Sequence, residues 1–156
     1  MAIDDAVFRR AMGSFTSGVT VVTTRHADVP YGMTVSSFTS LSLTPQLVLI
    51  CLQSHLPTHT AIAAEGRFAV SVLAADQAEL SQHFASKIPD KFTGVACDTN
   101  LHGIPTITGA CAVFSCSVAQ ILPGGDHVII VGALEDVVVS ERAPLVYFRG
   151  AYHQLA

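Results

Sequence analysis

The spacing of hydrophobic and polar residues changes several times along the chain. Residues 4–15 place apolar side chains at helical spacing, with Asp4 or Asp5 available as the N-cap, which predicts an opening amphipathic helix. From Gly18 the run GVTVVTTR predicts a strand, because Val and Thr lose side-chain freedom in a helix. The segment YGMTVSSFTSLSL alternates irregularly as far as Pro45 and predicts one strand with a bend.

The middle of the chain combines strands with two short helices. Residues 46–53, QLVLICLQ, are almost continuously apolar and predict a fully buried strand. A helix over residues 58–65 should end at Gly66, followed by the strand RFAVSVL. Asp76 is then expected to cap another helix, and the polar segment 86–103 is predicted to be a long loop.

The C-terminal third is rich in strands. ACAVFSCSVAQIL and DHVIIVGALEDVVVS are joined by Pro123, Gly124 and Gly125, which predicts a long hairpin, and PLVYF should complete the sheet. Seven strand-like segments against about three short helices, with the strands mostly consecutive, indicate a closed or partly closed antiparallel barrel. No linker or internal repeat interrupts this pattern, so residues 1–156 are predicted to form one domain.

Composition narrows the possible partners. Half of the residues are hydrophobic and only 13% are charged, so we expect apolar surface to be covered by a second copy of the chain or by a flat aromatic cofactor. A net charge of −4 argues against nucleic acid. The uncharged residues 29–64 contain three prolines and many hydroxyl side chains, so they do not predict a membrane span. The N-terminus lacks the features of a secretory signal, and the four cysteines have no paired spacing, which favours the cytoplasm and reduced thiols.

Several familiar catalytic motifs are excluded. GSFTSG has the glycine spacing of a phosphate loop but lacks the lysine that must follow it. His55 and His59 are four residues apart, yet Pro57 between them places His55 before the helix, so no metal site is predicted. The chain also lacks the GxSxG motif of serine hydrolases.

The most informative segment is the uncharged, hydroxyl-rich run of residues 34–44. A buried strand follows it, and then Gln53, Ser54, His55 and Thr58 gather at the start of a helix. Backbone N–H groups, hydroxyls and the positive end of a helix dipole suit a phosphate, and a planar ring could lie nearby. The alternative is that the Ser and Thr side chains simply cover a β-surface.

Five segments resemble the short-chain flavin reductases of two-component monooxygenase systems. They are FRRAMGSFTSGVTVVTT, GMTVSSFTSLSLTPQLVLICL, FAVSVL, GDHVIIVG and PLVYFRGAYHQL, and together they extend from Phe8 to Leu155. The resemblance implies a mainly β, flavin-binding split β-barrel, antiparallel and Greek-key-like, with a few short flanking helices. It also implies a homodimer that uses NADH or NADPH to reduce FMN or FAD and releases reduced flavin to a partner oxygenase.

The resemblance further implies which residues bind the cofactors. The TVSSF segment would line the isoalloxazine ring, chiefly through backbone N–H groups, and comprises Thr34, Val35, Ser36, Ser37 and Phe38. The ribityl chain and phosphate would be held by Leu52, Gln53, Ser54 and Thr58, with His55 beside them. A ring and a cation for the flavin's pyrophosphate or adenine would come from Phe84, Ala85, Lys91 and Phe92.

His127 and Tyr152 complete this implied site. His127, in the GDH segment, would be the catalytic residue that approaches the nicotinamide, and Tyr152 would close the same pocket. The alternative for His127 is a histidine that merely caps a hairpin turn. One departure from the family concerns the phosphate, since relatives often have a basic residue where this chain has Ser54, His55 and Pro57.

The cofactors supply the chemistry of such a reaction, which is hydride transfer from nicotinamide C4 to flavin N5. Position and N–H donors are what the protein must add, which agrees with the lack of an evident acid–base pair. Two alternatives remain open at this level: a flavin-binding module without turnover, and an oxidoreductase of the same fold that reduces another bound acceptor.

Overall fold

Antiparallel strands dominate the computed structural model, which describes residues 1–156. The three helices are α1 (Asp5–Met12), α2 (Pro57–Glu65) and α3 (Ala78–Ala85). The twelve strands are β1 (Ser17–Gly18), β2 (Thr20–His26), β3 (Val29–Val35), β4 (Phe38–Leu43), β5 (Gln46–Gln53), β6 (Arg67–Val72), β7 (Cys97–Thr99), β8 (Pro105–Ile107), β9 (Ala112–Gly124), β10 (His127–Val139), β11 (Val146–Phe148) and β12 (Ala151–His153). The predicted mainly β class is confirmed.

Seven strands form one antiparallel sheet in the order β3-β2-β6-β9-β10-β5-β4. The two outermost strands, β3 and β4, are consecutive in the chain and are separated only by Ser36 and Ser37. The two edges of the sheet must therefore meet, and β3 contacts β5 across the join. Cys51 N–H donates to Ser37 O at 3.2 Å, and Ser37 Oγ donates to Cys51 O at 2.8 Å. These bonds close the sheet into a barrel.

Two hydrophobic clusters hold this barrel together. The interior cluster contains residues from β2, β5, β6, β10 and α2, including Ile50, Leu52 and Phe68, all fully buried. The second cluster lies on the outer face of β2, where Val21 packs with Phe84 of α3. Strand β2 is buried on both faces, because α3 and the C-terminal segment cover the side that faces away from the barrel interior.

The structure corrects three strand predictions. The predicted bent strand is two strands, β3 and β4, whose hydrogen-bonded neighbours differ. Strand β5 has the predicted bounds but is not fully buried: Val48, Ile50 and Leu52 face the core, while Leu49 and Cys51 are partly exposed on the other face. The PLVYF segment does not complete the barrel, because β11 belongs to a separate three-stranded sheet with β1 and β12.

Two further expectations were wrong. The segment 86–103 is not all loop, since β7 lies within it and pairs with β8. Asp76 does not cap α3. Gln77 occupies the N-cap position without a side-chain bond to the helix, and it instead accepts from Ala74 N–H at 2.8 Å. The Asp76 carboxylate pairs with Arg142 at 2.5 Å, a partner 66 residues away that local pattern does not reveal.

Other elements are confirmed. α1 begins after Asp4, whose carboxylate accepts from Ala6 N–H at 2.9 Å, and α2 ends at Gly66 with φ of 73°. Strands β9 and β10 form the predicted long hairpin. No helix in the structure is both long enough and apolar enough to cross a membrane.

Gly132 in β10 provides a test of packing inside the barrel. A Cβ atom there would lie 2.5 Å from Phe68 Cζ and 3.0 Å from Cys116 Cβ, and both residues are buried. We expect Gly132→Ala to lower the free energy of unfolding by about 1–3 kcal/mol, because the core must shift to admit the methyl group. Gly18→Ala is the control, since a Cβ at Gly18 would meet nothing within 4 Å.

Urea denaturation of both variants measures this difference. The control should stay within about 0.5 kcal/mol of the wild type. Equal stability of the two variants would contradict the tight packing seen at Gly132.

Candidate functional site

A cleft of about 870 Å³ opens beside the join between β3 and β4. α1 forms one wall, the outer face of β4 and β5 forms the other, and the turn between β11 and β12 closes one end. Its apolar lining consists of Phe8, Met12, Phe15, Phe38, Leu49 and Tyr147. The cleft is therefore apolar and rich in rings, which is typical of sites for planar ligands.

α1 explains why this wall is apolar. The helix has no buried residue, and its apolar side chains Phe8 and Met12 are 59% and 54% exposed. Phe15, which follows the end of the helix, is 79% exposed. The end of the helix is fixed by a hydrogen bond from Arg149 N–H to Gly13 O at 2.9 Å. The amphipathic pattern that predicted the helix therefore marks a surface that faces the cleft and solvent, not the core.

The bend at Ser36 and Ser37 supplies polar groups to the cleft. Neither backbone N–H donates a hydrogen bond to another part of the chain, and the Ser36 hydroxyl also has no partner. The Ser37 hydroxyl is used in closing the barrel. Two free N–H donors beside an apolar wall fit the polar edge of a heteroaromatic ring such as a flavin, because unpaired backbone donors need an acceptor once water is displaced.

The outer face of β5 continues the cleft towards the hairpin tip. Leu49, Cys51 and Gln53 alternate on this face, and Gln53 lies opposite His127 of β10 in the strand register. Residues directly opposite in an antiparallel pair share a face of the sheet. Gln53 and His127 therefore extend the wall that Leu49 and Cys51 form in the cleft.

Asp126 holds His127 in one orientation. His127 Nδ1 lies 2.7 Å from Asp126 Oδ1, so Nδ1 donates to the carboxylate and Nε2 is left free. The same hydrogen bond is the main cause that lowers the pKa of Asp126. The carbonyl of Asp126 accepts from both Ser54 N–H, at 3.0 Å, and Ser54 Oγ, at 3.1 Å. Ser54 thus ties the start of α2 to the hairpin that carries His127.

Four of the predicted cofactor-binding residues have side chains turned away from the surface. Thr34 Oγ1 donates to Ser81 O at 2.5 Å, which leaves its hydroxyl occupied. The side chains of Val35 and Leu52 lie in the barrel core, and Thr58 is 6% exposed in the first turn of α2. Any cofactor contact by Val35 or Leu52 is limited to backbone atoms.

A second group of predicted residues lies on the α3 side of β3. Phe84 is fully buried and packs edge-on against Phe92, with ring centroids 5.3 Å apart. Lys91 Nζ donates to Phe84 O at 2.9 Å and to Gly32 O at 3.2 Å, and burial lowers its pKa. Tyr152 bonds to Ser81 through its hydroxyl at 2.7 Å. Ala85 is exposed at the end of α3.

The structure therefore divides the predicted residues. Ser36 and Ser37 line the cleft, with Gln53 and His127 on the same face, whereas Phe84, Lys91 and Phe92 have structural contacts around β3 and α3. Arg149 and Cys51 also line the cleft, and the sequence pattern did not single them out. Cys51 could have been found from the alternation of β5, had that strand been treated as exposed on one face.

Comparison with known proteins agrees with this architecture. Residues 12–156 match the family model described as flavin reductase like domain. The chain is 43% identical over 153 residues to the reductase subunit HsaB of a flavin-dependent monooxygenase from Mycobacterium tuberculosis, covering 96% of this chain and 82% of that protein. It is 38% identical over 152 residues to an NADH-dependent flavin reductase from a Rhodococcus species, covering 94% and 84%.

A solved structure gives the same result. The NADH:FAD oxidoreductase SgcE6 of Streptomyces globisporus, in complex with NAD and FAD fragments, superposes with a TM-score of 0.93 at 38% identity and covers 100% of this chain and 97% of that chain. The fold is thus the split barrel of the flavin reductases. The chain belongs to the flavin reductase-like family. This confirms the resemblance drawn from the sequence and the assignment as an oxidoreductase that uses flavin and a nicotinamide donor.

Lys91 offers a test of the structural contacts around α3. Lys91→Met removes the donor from the carbonyl oxygens of Phe84 and Gly32, and we expect the free energy of unfolding to fall by about 1–2 kcal/mol. Lys87→Met is the control, because Lys87 is exposed in the same segment and makes no hydrogen bond or ion pair. Thermal or urea denaturation compares them, and equal stability would show that the Lys91 contacts contribute nothing.

Proposed function

We propose that this chain is the NADH-dependent reductase component of a two-component monooxygenase, reducing free FMN or FAD for a separate oxygenase. The observation that carries the proposal is the pair of unbonded N–H groups at Ser36 and Ser37 on the edge of an apolar, ring-lined cleft. Such a site binds a flat ring by stacking and holds one polar edge by backbone donors. The names of the relatives support the assignment to this reaction.

Flavin and nicotinamide supply the chemistry, a hydride transfer from nicotinamide C4 to flavin N5. The chain contributes orientation. The N–H groups of Ser36 and Ser37 would hold the polar edge of the ring, and the apolar side chains of the cleft would exclude water from it. The closure of the barrel holds these N–H donors in place, so they need not move when the ring is reduced. They would therefore stabilise the reduced ring, which carries more negative charge, more than the oxidised ring.

His127 acts on the nicotinamide side. Asp126 keeps the proton on Nδ1, which leaves Nε2 without a hydrogen-bond partner in the chain. Its side chain is 40% exposed and can meet a ligand without rearrangement of the hairpin. Tyr152 packs against Tyr147, which lines the cleft, with the two ring centroids 5.6 Å apart. It therefore supports the cleft wall indirectly.

The ribityl chain and phosphate of the flavin extend from the ring towards the start of α2. The side chains of Gln53 and His55 are exposed there, and neither side chain has a hydrogen-bond partner in the chain. The first turn of α2 contains no acidic residue, so the partial positive charge of the helix end is not neutralised. Ser54 positions this end of the site, since both its backbone N–H and its hydroxyl donate to Asp126 O.

The chain works as a homodimer, as a single domain over residues 1–156, in the cytoplasm. The exposed apolar face of α1 supports the dimer, since a contiguous exposed patch of this kind is usually covered in solution. Reduced flavin reaches the oxygenase by diffusion, which requires that binding in the open cleft be weak.

Oxidation of NADH at 340 nm, with no flavin and then with FMN, FAD or riboflavin, tests the function. We expect oxidation to depend on added flavin and one flavin to be preferred. Flavin binding without any oxidation of NADH or NADPH would instead support a binding module. Slow turnover that only another acceptor accelerates would support the same-fold oxidoreductase.

Replacement of His127 tests its assigned role. We expect His127→Ala to raise KM for NADH by about tenfold while changing flavin affinity less than about twofold, since only the nicotinamide contact is lost. His26→Ala is the control, because His26 pairs with Glu65 and does not line the cleft. Equal losses of NADH and flavin binding would contradict the assignment.

A further inference from the structure

The tip of the β9–β10 hairpin is a turn of only two residues. Gly124 and His127 are the last pair of the ladder, which leaves Gly125 and Asp126 to make the turn. Gly125 has a φ of 72°, in the left-handed region that glycine enters without a steric penalty. So short a turn fixes the positions of Asp126 and His127 relative to each other.

The backbone of this turn is also bonded to the start of α2. Asp126 O accepts from Ser54 N–H at 3.0 Å and from Ser54 Oγ at 3.1 Å. Ser54 O in turn accepts from His59 Nδ1 at 2.8 Å. His127 itself is paired with Gln53 of β5 in the strand register. The backbone that carries the Asp126 carboxylate is therefore held both by the sheet and by α2.

The carboxylate of Asp126 decides which ring nitrogen of His127 carries a proton. Nδ1 lies 2.7 Å from Asp126 Oδ1. An ionised carboxylate can only accept hydrogen bonds, so Nδ1 must be the donor. The same hydrogen bond is the first of the causes that lower the pKa of Asp126, which keeps this acceptor ionised. In a neutral imidazole the other nitrogen, Nε2, then has a free lone pair and acts as an acceptor.

Capping of the hairpin turn does not account for the His127 side chain. The ring makes no hydrogen bond to the backbone of the turn, and its only partner is the Asp126 carboxylate. The side chain is 40% exposed, and Nε2 has no partner in the chain. A ligand that displaces water from this acceptor must supply a donor in its place, because an acceptor left unpaired costs binding free energy.

The nicotinamide ring offers one such donor. Its carboxamide carries an NH₂ group, which donates, and a carbonyl oxygen, which only accepts. An unprotonated Nε2 can bond the NH₂ group but not the carbonyl oxygen. The orientation of the proton on His127 therefore determines which end of the carboxamide this side chain can recognise.

We propose that Asp126 is a positioning residue that holds His127 with its proton on Nδ1, and that His127 Nε2 accepts a hydrogen bond from the carboxamide NH₂ of the nicotinamide. This inference rests on the proposed function and deepens it, because it names the group by which the hydride donor is recognised. Asp126 acts through His127 and does not touch the ligand. Dinucleotides without the NH₂ group should bind more weakly.

An analogue of NAD⁺ tests the recognition without turnover. In 3-acetylpyridine adenine dinucleotide a methyl group replaces the NH₂ group and the carbonyl remains. Calorimetry on protein saturated with oxidised flavin, at about pH 8.5 where histidine side chains are ordinarily neutral, gives both dissociation constants. We expect NAD⁺ to bind about three- to tenfold more tightly than the analogue, as one net hydrogen bond allows. In His127→Ala the ratio should fall to about one.

A ratio of about one in the wild type, or an undiminished ratio in His127→Ala, would overturn the recognition of the carboxamide. Asp126→Ala tests the positioning role, and it should reduce the ratio to about half of the wild-type value or less. The double variant Asp126→Ala/His127→Ala should match His127→Ala alone, because Asp126 acts only through that ring. Equal weakening of both dinucleotides in Asp126→Ala, or additive losses in the double variant, would overturn this role.

Asp136→Ala is the matched control. It removes the same charge from an exposed position of β10 that takes part in none of the ion pairs. The ratio of the two dissociation constants should stay at the wild-type value. A change as large as that in Asp126→Ala would show that net charge, and not the bond to His127, controls the preference.

Long-range ¹H–¹⁵N NMR of the ligand-free protein reads the position of the proton directly. The His127 signals are identified by their loss in His127→Ala. We expect the proton on Nδ1 in the wild type and shared between the two nitrogens in Asp126→Ala. A proton on Nε2 in the wild type would overturn the inference, even if Asp126→Ala fails to fold. The expected tautomer in a protein that oxidises neither NADH nor NADPH with any flavin would refute the reductase proposal and leave the role of Asp126 standing.

Discussion

The site depends on the closure of the barrel at Ser36 and Ser37. One short bend joins the two edges of a seven-stranded sheet, so the strands on either side of it cannot pair with each other as a hairpin. The hydrogen bonds between Ser37 and Cys51 fix the bend against β5. The N–H groups of Ser36 and Ser37 remain unpaired as a result of that geometry, and they are the donors assigned to the flavin ring.

Residues that pack in the barrel core and residues that line the cleft occupy different positions along β3 and β5. On β5, Val48, Ile50 and Leu52 fill the barrel, while the alternate residues form the cleft wall. On β3, Thr34 is bonded to α3 and Val35 is in the core, so only the bend that follows offers free groups. Because side chains alternate between the two faces of a strand, β5 can fill the barrel interior with one set of residues and line the cleft with the other.

α1 contributes little to the hydrophobic core, so its role cannot be explained by packing within the chain. It buries no residue within the chain, although its capping by Asp4 and its amphipathic pattern are sound. The helix provides an apolar wall for the cleft, with Arg9 and Arg10 beside it. The hydrogen bond between Arg149 N–H and Gly13 O attaches this short helix to the rest of the chain and keeps its apolar surface at the cleft.

The sequence by itself determined the elements whose signals are local: the capped α1, the Pro-to-Gly limits of α2, the bounds of β5 and the long hairpin. The motif resemblance added the family, and the structure places Ser36 and Ser37, two of the residues that it implied, at a bend that lines the cleft. Only tertiary structure separated β3 from β4, paired Asp76 with Arg142, and turned Lys91 onto carbonyl oxygens. These outcomes depend on partners distant in the sequence, and local periodicity carries no information about which distant group satisfies a given side chain.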